Sequence, residues 1–247
     1  MPIPKMDCYT FARKMYNSNT FDIPMTLLWE LQLPTEQLKQ WLLAAWCYHH
    51  IGTATWIADT PKLFWQRMMI AAKSKDYPRD SERRHFRGYN AVSSVEFLQK
   101  QGIERLFTPL LRTQTAHEAV EYVKTWRGFG PWSAFECADT VEVLGMAKID
   151  FSNAYDLMYD SPKKSAHILW EVEGSPVTQS VVRWAVKRIL DELGGLKSPP
   201  MRVRNLGFQE AETILCRWKS YLGGTYTSEN DSKQSKAALM RFARCPQ

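Results

Sequence analysis

The sequence predicts an all-α protein, and three observations support this fold class. Apolar residues recur every three or four positions in segment after segment, while alternating, strand-like runs are scarce. The connections between these segments are short and contain Pro or Gly. Of the 247 residues, 45% are hydrophobic and 23% are charged, as in compact globular chains. We therefore expect a single helical domain over residues 1–224.

The apolar spacing also predicts individual helices. Thr35 is the expected N-cap of a helix that weakens near Gly52, with one stripe formed by Leu38, Trp41, Leu42, Ala45, His49 and Trp56. Further helices are predicted at 7–16, 62–72, 81–99, 115–126, 132–144, 153–159, 177–193 and 209–221. Residues 225–247 are predicted to form a polar, mobile C-terminal tail, in which 237–242 can dock as a short helix.

Several protein classes are excluded by composition. No window reaches the ~18 apolar residues of a membrane span, and no signal-peptide core follows the first residues. The cysteines are widely spaced and lack a C-x-x-C pair, so we expect neither disulfides, nor structural zinc, nor an iron-sulfur cluster; they are Cys8, Cys47, Cys137, Cys216 and Cys245. We expect a monomer in the cytoplasm.

The charge distribution points to a polyanionic partner. Lys and Arg number 32 against 26 Asp and Glu, giving a formal charge of +6. Residues 61–112 carry 11 basic and five acidic residues, whereas residues 127–160 carry two basic and six acidic ones. This segregation suits a protein that binds phosphates on one surface and places carboxylates for chemistry on another. The alternative is that both are ordinary solvated surfaces.

A glycine turn between two predicted helices is the most informative motif. The first helix is expected to end at Trp126, and Pro131 stands at the first position of the next one. This pattern predicts a helix-hairpin-helix at residues 115–145, whose turn holds a DNA phosphate with free backbone amides. The candidate DNA-binding residues are Arg127, Gly128, Phe129, Gly130 and Ser133. The alternative is a plain αα-hairpin.

The hairpin resembles that of the helix-hairpin-helix DNA glycosylase superfamily. The resemblance rests on Gly128-Phe129-Gly130-Pro131-x-x-Ala134 and on Asp150, an acid 22 residues beyond Gly128. In that superfamily an essential aspartate follows the second hairpin helix after a short apolar link. The resemblance implies a glycosylase-like helical fold with Asp150 as the catalytic acid.

Three longer blocks, residues 41–54, 82–88 and 126–136, resemble the phage amino acid:DNA transferases. These enzymes are also described as α-glutamyl/putrescinyl-thymine pyrophosphorylases, and they act in thymine hypermodification. The resemblance implies a bacteriophage enzyme of the host-cell cytoplasm that acts on double-stranded DNA. An amino acid or polyamine would displace pyrophosphate from a pyrophosphorylated 5-hydroxymethyluracil.

Such a reaction needs carboxylates that orient the amine and accept its proton. Asp150 is the first candidate. Glu136 is the second candidate and lies one helical turn from Asp139. Glu136 and Asp139 can instead bind an ammonium group or a divalent ion. The alternative is that Glu136 is a solvent-exposed acid on an amphipathic helix. The family resemblance adds His49 as a candidate catalytic residue. The position of His49 on the apolar stripe of its predicted helix instead favours a buried, hydrogen-bonded histidine.

The leaving pyrophosphate needs cationic groups or Mg²⁺. Arg83, Arg84 and Arg87 are the candidates, with Arg83 and Arg87 predicted to share one helical face. A solvated basic helix is the alternative. Trp132 is the candidate stacking partner for an extruded base, and the resemblance adds Tyr48 as a substrate-binding residue.

Two other functions remain compatible with the sequence. In a DNA N-glycosylase, Asp150 would stabilise the positive charge on the sugar as the base leaves. A non-catalytic helix-hairpin-helix module would bind duplex DNA without chemistry. The sequence does not indicate which amine is used.

Overall fold

The computed structural model describes residues 6–80, 83, 85–174 and 180–243, and the α-helices in these ranges surround one hydrophobic core. The helices are α1 Cys8–Asn17, α2 Ile23–Glu30, α3 Thr35–Tyr48, α4 Ile51–Ala58, α5 Phe64–Lys73, α6 Gly88–Gln101, α7 Ile103–Leu110, α8 Ala116–Val123, α9 Pro131–Val143, α10 Asp160–Glu173, α11 Val181–Glu192, α12 Phe208–Leu222 and α13 Ser228–Ala243. The described ranges also contain the 3₁₀ helices η1, Pro61–Leu63, and η2, Ala154–Leu157. The described ranges contain isolated β-bridges but no β-strand, so the all-α prediction is confirmed.

The long helix predicted from Thr35 past Gly52 is two helices. Thr35 is the first helical residue and Pro34 occupies the N-cap, so Thr35 was wrongly predicted as the cap. α3 ends because His49 takes the left-handed conformation, with φ 47°. The ring of His50 then accepts a hydrogen bond from the Thr53 backbone N–H at 3.1 Å and caps α4.

Three helices were not predicted, and a fourth, α13, was predicted only over residues 237–242; each of the four breaks a sequence rule. α2 is almost uniformly apolar with a proline in its first turn, and α7 contains Pro109. α10 is largely polar, and α13 lies in the expected tail. α13 packs on α4 and α2, so residues 228–243 form a docked helix. Packing against other helices stabilises such segments as helices where their intrinsic helix propensity does not.

Several predicted helices start or end differently. For example, α8 ends at Val123 instead of Trp126. α6 begins at Gly88 instead of residue 81, and residues 153–159 contain only the 3₁₀ helix η2. The start predicted for α11 at residue 177 lies outside the described residues.

Helices α3 to α9 form a central group, and α1 packs with α10, α11 and α12 in a terminal group. Phe135 of α9 joins the two groups. The centroid of its ring lies 5.7 Å from that of Phe151 and 6.4 Å from that of Phe208 in α12. α9 therefore lies at the junction, where its side chains can meet both groups. Across the described helices, none is long and apolar enough to cross a membrane.

Candidate functional site

The predicted pair of helices joined by a glycine turn is present as α8 and α9, which pack on each other. Thr115 caps α8: its hydroxyl accepts from the Glu118 N–H at 3.2 Å, and the Glu118 carboxylate accepts from the Thr115 N–H. Pro131 opens α9, as expected.

The turn is held closely against α6. Gly128 has φ 86°, and a Cβ placed on it would overlap the hydroxyl of Ser94 in α6. Gly130 donates its N–H to the Ser133 hydroxyl at 3.0 Å, so this amide is not available to a phosphate. The backbone N–H groups of Trp132 and Ser133 also lie in the first turn of α9. No carbonyl of the helix stands four residues before them, so they have no acceptor within the helix.

Arg83 is a buried support of the turn. It is 7% exposed, donates from Nε to the Cys47 carbonyl at 3.1 Å, and donates from Nη1 to the Gly128 carbonyl at 3.1 Å. Its guanidinium also lies over the ring of Phe129. Because α6 starts only at Gly88, Arg83 and Arg87 share no helical face, and the expected substrate-binding role of Arg83 is corrected to a structural one. Arg84 lies outside the described residues.

An exposed edge with basic and aromatic side chains runs beside the turn. Arg127 is exposed and donates from Nε to the Ser93 hydroxyl of α6 at 3.0 Å. Arg87 is exposed at the N-cap of α6, and Tyr89 in the next turn is 79% exposed. We call Arg87, Tyr89 and Arg127 the basic edge. The other predicted DNA-binding side chains, Phe129 and Ser133, are buried in the hairpin.

His49 and Trp132 meet at the start of α9. Their ring centroids are 5.0 Å apart at an interplanar angle of 79°, and His49 Nδ1 lies 3.6 Å from an Asp80 carboxylate oxygen. Glu136 follows Trp132 by one helical turn. Tyr48 is different: it is fully buried and its hydroxyl donates to the Met68 carbonyl at 2.6 Å. A side chain without exposed surface does not reach substrate, so the expectation for Tyr48 is corrected.

An acidic cluster surrounds Glu136 where α9 meets α12. We define it as Glu136, Asp139 and Glu212, which influence one another electrostatically. Burial, followed by repulsion from Glu136, raises the pKa of Glu212 to about 8, and Arg217 opposes this change. The same two causes raise the pKa of Asp139 well above its ordinary value. Glu212 is therefore largely protonated at neutral pH, and the pKa of Asp139 is shifted in the same direction.

Asp150 lies after α9, beside the start of α8. Its backbone N–H donates to the Gln114 carbonyl at 2.8 Å, and its own carbonyl accepts from the Ala116 N–H at 3.0 Å. Its exposed carboxylate accepts from the N–H of Ser152 at 2.8 Å and from the Ser152 hydroxyl at 3.0 Å. These two bonds lower the pKa of Asp150. Asp150 is thus a fixed, ionised carboxylate and a weak base.

A cavity of about 580 Å³ opens next to Asp150. Its apolar walls include Val143, Ile149, Met201 and Val203, which come from the end of α9 and from the loop before α12. This volume lies in the range of small-molecule sites.

The described residues do not form a protein-only magnesium site. Within the ranges that the structure describes, no three His, Cys, Asp or Glu side chains are grouped to hold a metal ion. Burial also disfavours the ionised forms of Asp139 and Glu212, which makes these two groups poor ligands for a divalent cation. We therefore derive no step through Mg²⁺.

The fold and the carboxylates fit a group-transfer enzyme, and comparison with known proteins gives its family. The sequence model of the family described as amino acid:DNA transferase matches residues 11–226, so the chain belongs to that family. It is a DNA-modifying amino acid or polyamine transferase. The prediction of family and enzyme class is confirmed.

Two phage relatives show the same family. The chain is 30% identical to a glycinyltransferase of Pseudomonas phage PaMx11, over 97% of this chain and 92% of the relative. It is 23% identical to a putrescinyltransferase of Delftia phage PhiW-14, over 78% of this chain and 64% of the relative.

Sequence reasoning missed three residues that the structure brings to these places. Glu212 joins Glu136 from 76 positions away, and no local pattern marks it. Tyr89 was hidden by the helix wrongly predicted from residue 81. Lys148 was noticeable only as a charge two positions before Asp150.

Proposed function

We propose that the chain transfers an amine to an activated thymine derivative in double-stranded DNA, acting as a monomer in the host-cell cytoplasm. The amine nitrogen forms a bond to the 5-methylene carbon of a pyrophosphorylated 5-hydroxymethyluracil. The carbon–oxygen bond breaks, and pyrophosphate leaves with the bonding electrons. The nitrogen loses one proton. The single observation behind the proposal is the family match over residues 11–226.

Two kinds of carboxylate support distinct roles in this reaction. Asp150 is ionised and held by Ser152, which suits it to orient the amine through a hydrogen bond. In the acidic cluster, burial raises the pKa values of Asp139 and Glu212, so these two groups hold a proton more readily than an ordinary carboxyl group does. Glu136 is the member nearest in sequence to Trp132 and the proposed proton acceptor. Environments that push carboxyl pKa values apart are typical of such divided roles.

The basic edge and the turn are the proposed DNA surface. Arg87 and Arg127 are exposed there, and the first-turn amides of α9 can donate to a phosphate. Trp132, next to these amides, is the proposed stacking partner of the extruded base, with His49 against its ring. Phosphate contacts of this type bind DNA without reading its sequence.

The test uses DNA that contains pyrophosphorylated 5-hydroxymethyluracil. The full chain is incubated with this DNA and with glycine or putrescine, and the digested nucleosides are analysed by mass spectrometry. We expect amine adducts and one pyrophosphate per adduct. Abasic sites would instead identify a glycosylase, and unchanged DNA would indicate a DNA-binding module without catalytic activity.

The variant Glu136→Gln tests whether the acidic cluster takes part in transfer, and a control variant measures the general effect of losing one negative charge. We expect transfer to fall by about 10²-fold or more, which is the usual contribution of general base catalysis. Glu171→Gln, at an exposed position on α10, is the matched control and should retain activity. Equal activity of both variants would refute the role of Glu136.

A further inference from the structure

The cavity beside Asp150 is lined by four charged side chains, and two of them, Glu142 and Arg204, are paired with each other. Arg204 donates from Nη2 to Glu142 at 2.7 Å and to Glu210 at 2.9 Å, and Gln209 donates to Glu142 at 2.6 Å. This network is partly buried and internally satisfied. Glu142 and Arg204 therefore use their hydrogen-bonding groups within the wall of the cavity, on each other, on Glu210 and on Gln209.

The other two charges have opposite sign and no ionic partner. Within the described part of the chain, Lys148 has no hydrogen-bond or ion-pair partner, and Asp150 bonds only to Ser152 through its carboxylate. Both side chains line the cavity. A ligand that carries one positive and one negative group can satisfy both at once.

The backbone places these two charges on the same side. Residues 147–150 alternate in burial: Ala147 and Ile149 are buried, whereas Lys148 and Asp150 are exposed. Positions two apart in an extended segment are separated by about 6–7 Å and face the same way. The side chains can therefore hold the two ends of a small zwitterion between them. Gln114, at the same cavity, adds an amide that can donate or accept.

We propose that this cavity binds the amine substrate as a zwitterionic α-amino acid, with its ammonium group on Asp150 and its carboxylate on Lys148. This inference rests on the proposed function, because it identifies the amine of that reaction. A diamine lacks the carboxylate and brings a second positive charge towards Lys148, so the cavity disfavours polyamines.

The first experiment compares glycine with glycinamide, which keeps the ammonium group and replaces the carboxylate by a neutral amide. Binding to the full chain without DNA is followed by saturation-transfer NMR. Glycine should bind more tightly than glycinamide to the unmodified protein, by about tenfold for a charge-assisted bond. Lys148→Met should remove this preference and Lys148→Arg should largely keep it. Lys164→Met, at an exposed site on α10, should behave like the unmodified protein.

The second experiment measures transfer to activated DNA with glycine and putrescine in competition. Lys148→Glu should shift the ratio of products towards putrescine by about tenfold or more, with the DNA affinity monitored separately. An unchanged ratio, or a glycine preference that Lys148→Met leaves intact, overturns the proposed amino-acid site. Glycine binding that depends on Lys148, without transfer of any amine, would support the site and refute the proposed function instead.

Discussion

Arg83 donates a hydrogen bond from Nη1 to the carbonyl oxygen of Gly128 at 3.1 Å, across 45 positions of sequence. A second bond from its Nε to Cys47 ties the same guanidinium to the end of α3. One buried cation thus fixes the turn between α8 and α9 relative to α3. The basic edge and Trp132 depend on this anchor for their positions.

Replacement of Arg83 should therefore destabilise the protein. Arg83→Met keeps an apolar chain but leaves the carbonyl groups of Cys47 and Gly128 without their charged donor, and each such bond contributes about 1.5–3 kcal/mol. We expect the free energy of unfolding in urea to fall by about 3 kcal/mol or more. Arg105→Met, at an exposed site on α7, should change it by no more than ~0.5 kcal/mol. A similar small effect at Arg83 would contradict its anchoring role.

The two glycines of the turn should respond differently to the same substitution. Gly128→Ala forces a side chain into φ 86° and against Ser94, which costs at least about 1–2 kcal/mol from the backbone alone. Gly130 has φ −99° and open space around the position of a Cβ, so Gly130→Ala should cost clearly less. Urea unfolding of both variants tests this order. Equal losses would show that the packing on α6 does not constrain the turn.

Asp150→Asn should separate catalysis from folding and DNA binding. The amide oxygen can still accept from the Ser152 N–H, so the melting temperature should change little. The loss of the negative charge should lower kcat by about 10²-fold or more. DNA affinity, measured by fluorescence anisotropy, should stay within about twofold of the unmodified protein. Full activity of this variant would remove Asp150 from the mechanism.

Glu212 should make stability depend on pH in a defined direction. Its pKa is raised to about 8 in the folded chain, above the ordinary value of 4.5. Between these values the folded state holds one more proton than the unfolded state, so stability falls as pH rises from about 4.5 to about 8. Glu212→Gln should flatten this decline and raise the melting temperature at pH 8.5 by roughly 2–4 °C per kcal/mol gained. A decline of unchanged slope would contradict the raised pKa.

Tyr89 should contribute to DNA binding through its ring. It is 79% exposed beside Arg87 and Arg127, and stacking of an aromatic ring on a base contributes about 1–3 kcal/mol. Tyr89→Ala should weaken DNA binding by about tenfold, whereas Tyr89→Phe should not. The loss should persist at high salt, unlike that of Arg127→Gln, which should reduce the salt dependence. Trp29→Ala, at another exposed aromatic residue on α2, is the control.

The sequence was most informative where a local rule governs the structure. The periodicity predicted α3, α5, α8, α9 and α12, and Gly128 and Pro131 predicted the turn and the start of α9. Local patterns failed where long-range contacts decide. His49 interrupts a continuous apolar stripe, and α13 is polar enough to resemble a tail, yet it packs on α4 and α2.

By itself, the sequence determined the helical class, the hairpin and the family resemblance, because these depend on the spacing of residue types within single helices, within the hairpin and within short blocks of sequence. Only the tertiary structure decided which charged residues serve the site. It buried Arg83 under the turn, brought Glu212 to Glu136, and left Lys148 and Asp150 at the cavity without ionic partners among the residues that the structure describes. The physical reason is that burial and electrostatic neighbours set the state of an ionisable group, and both arise from segments that are distant in the chain.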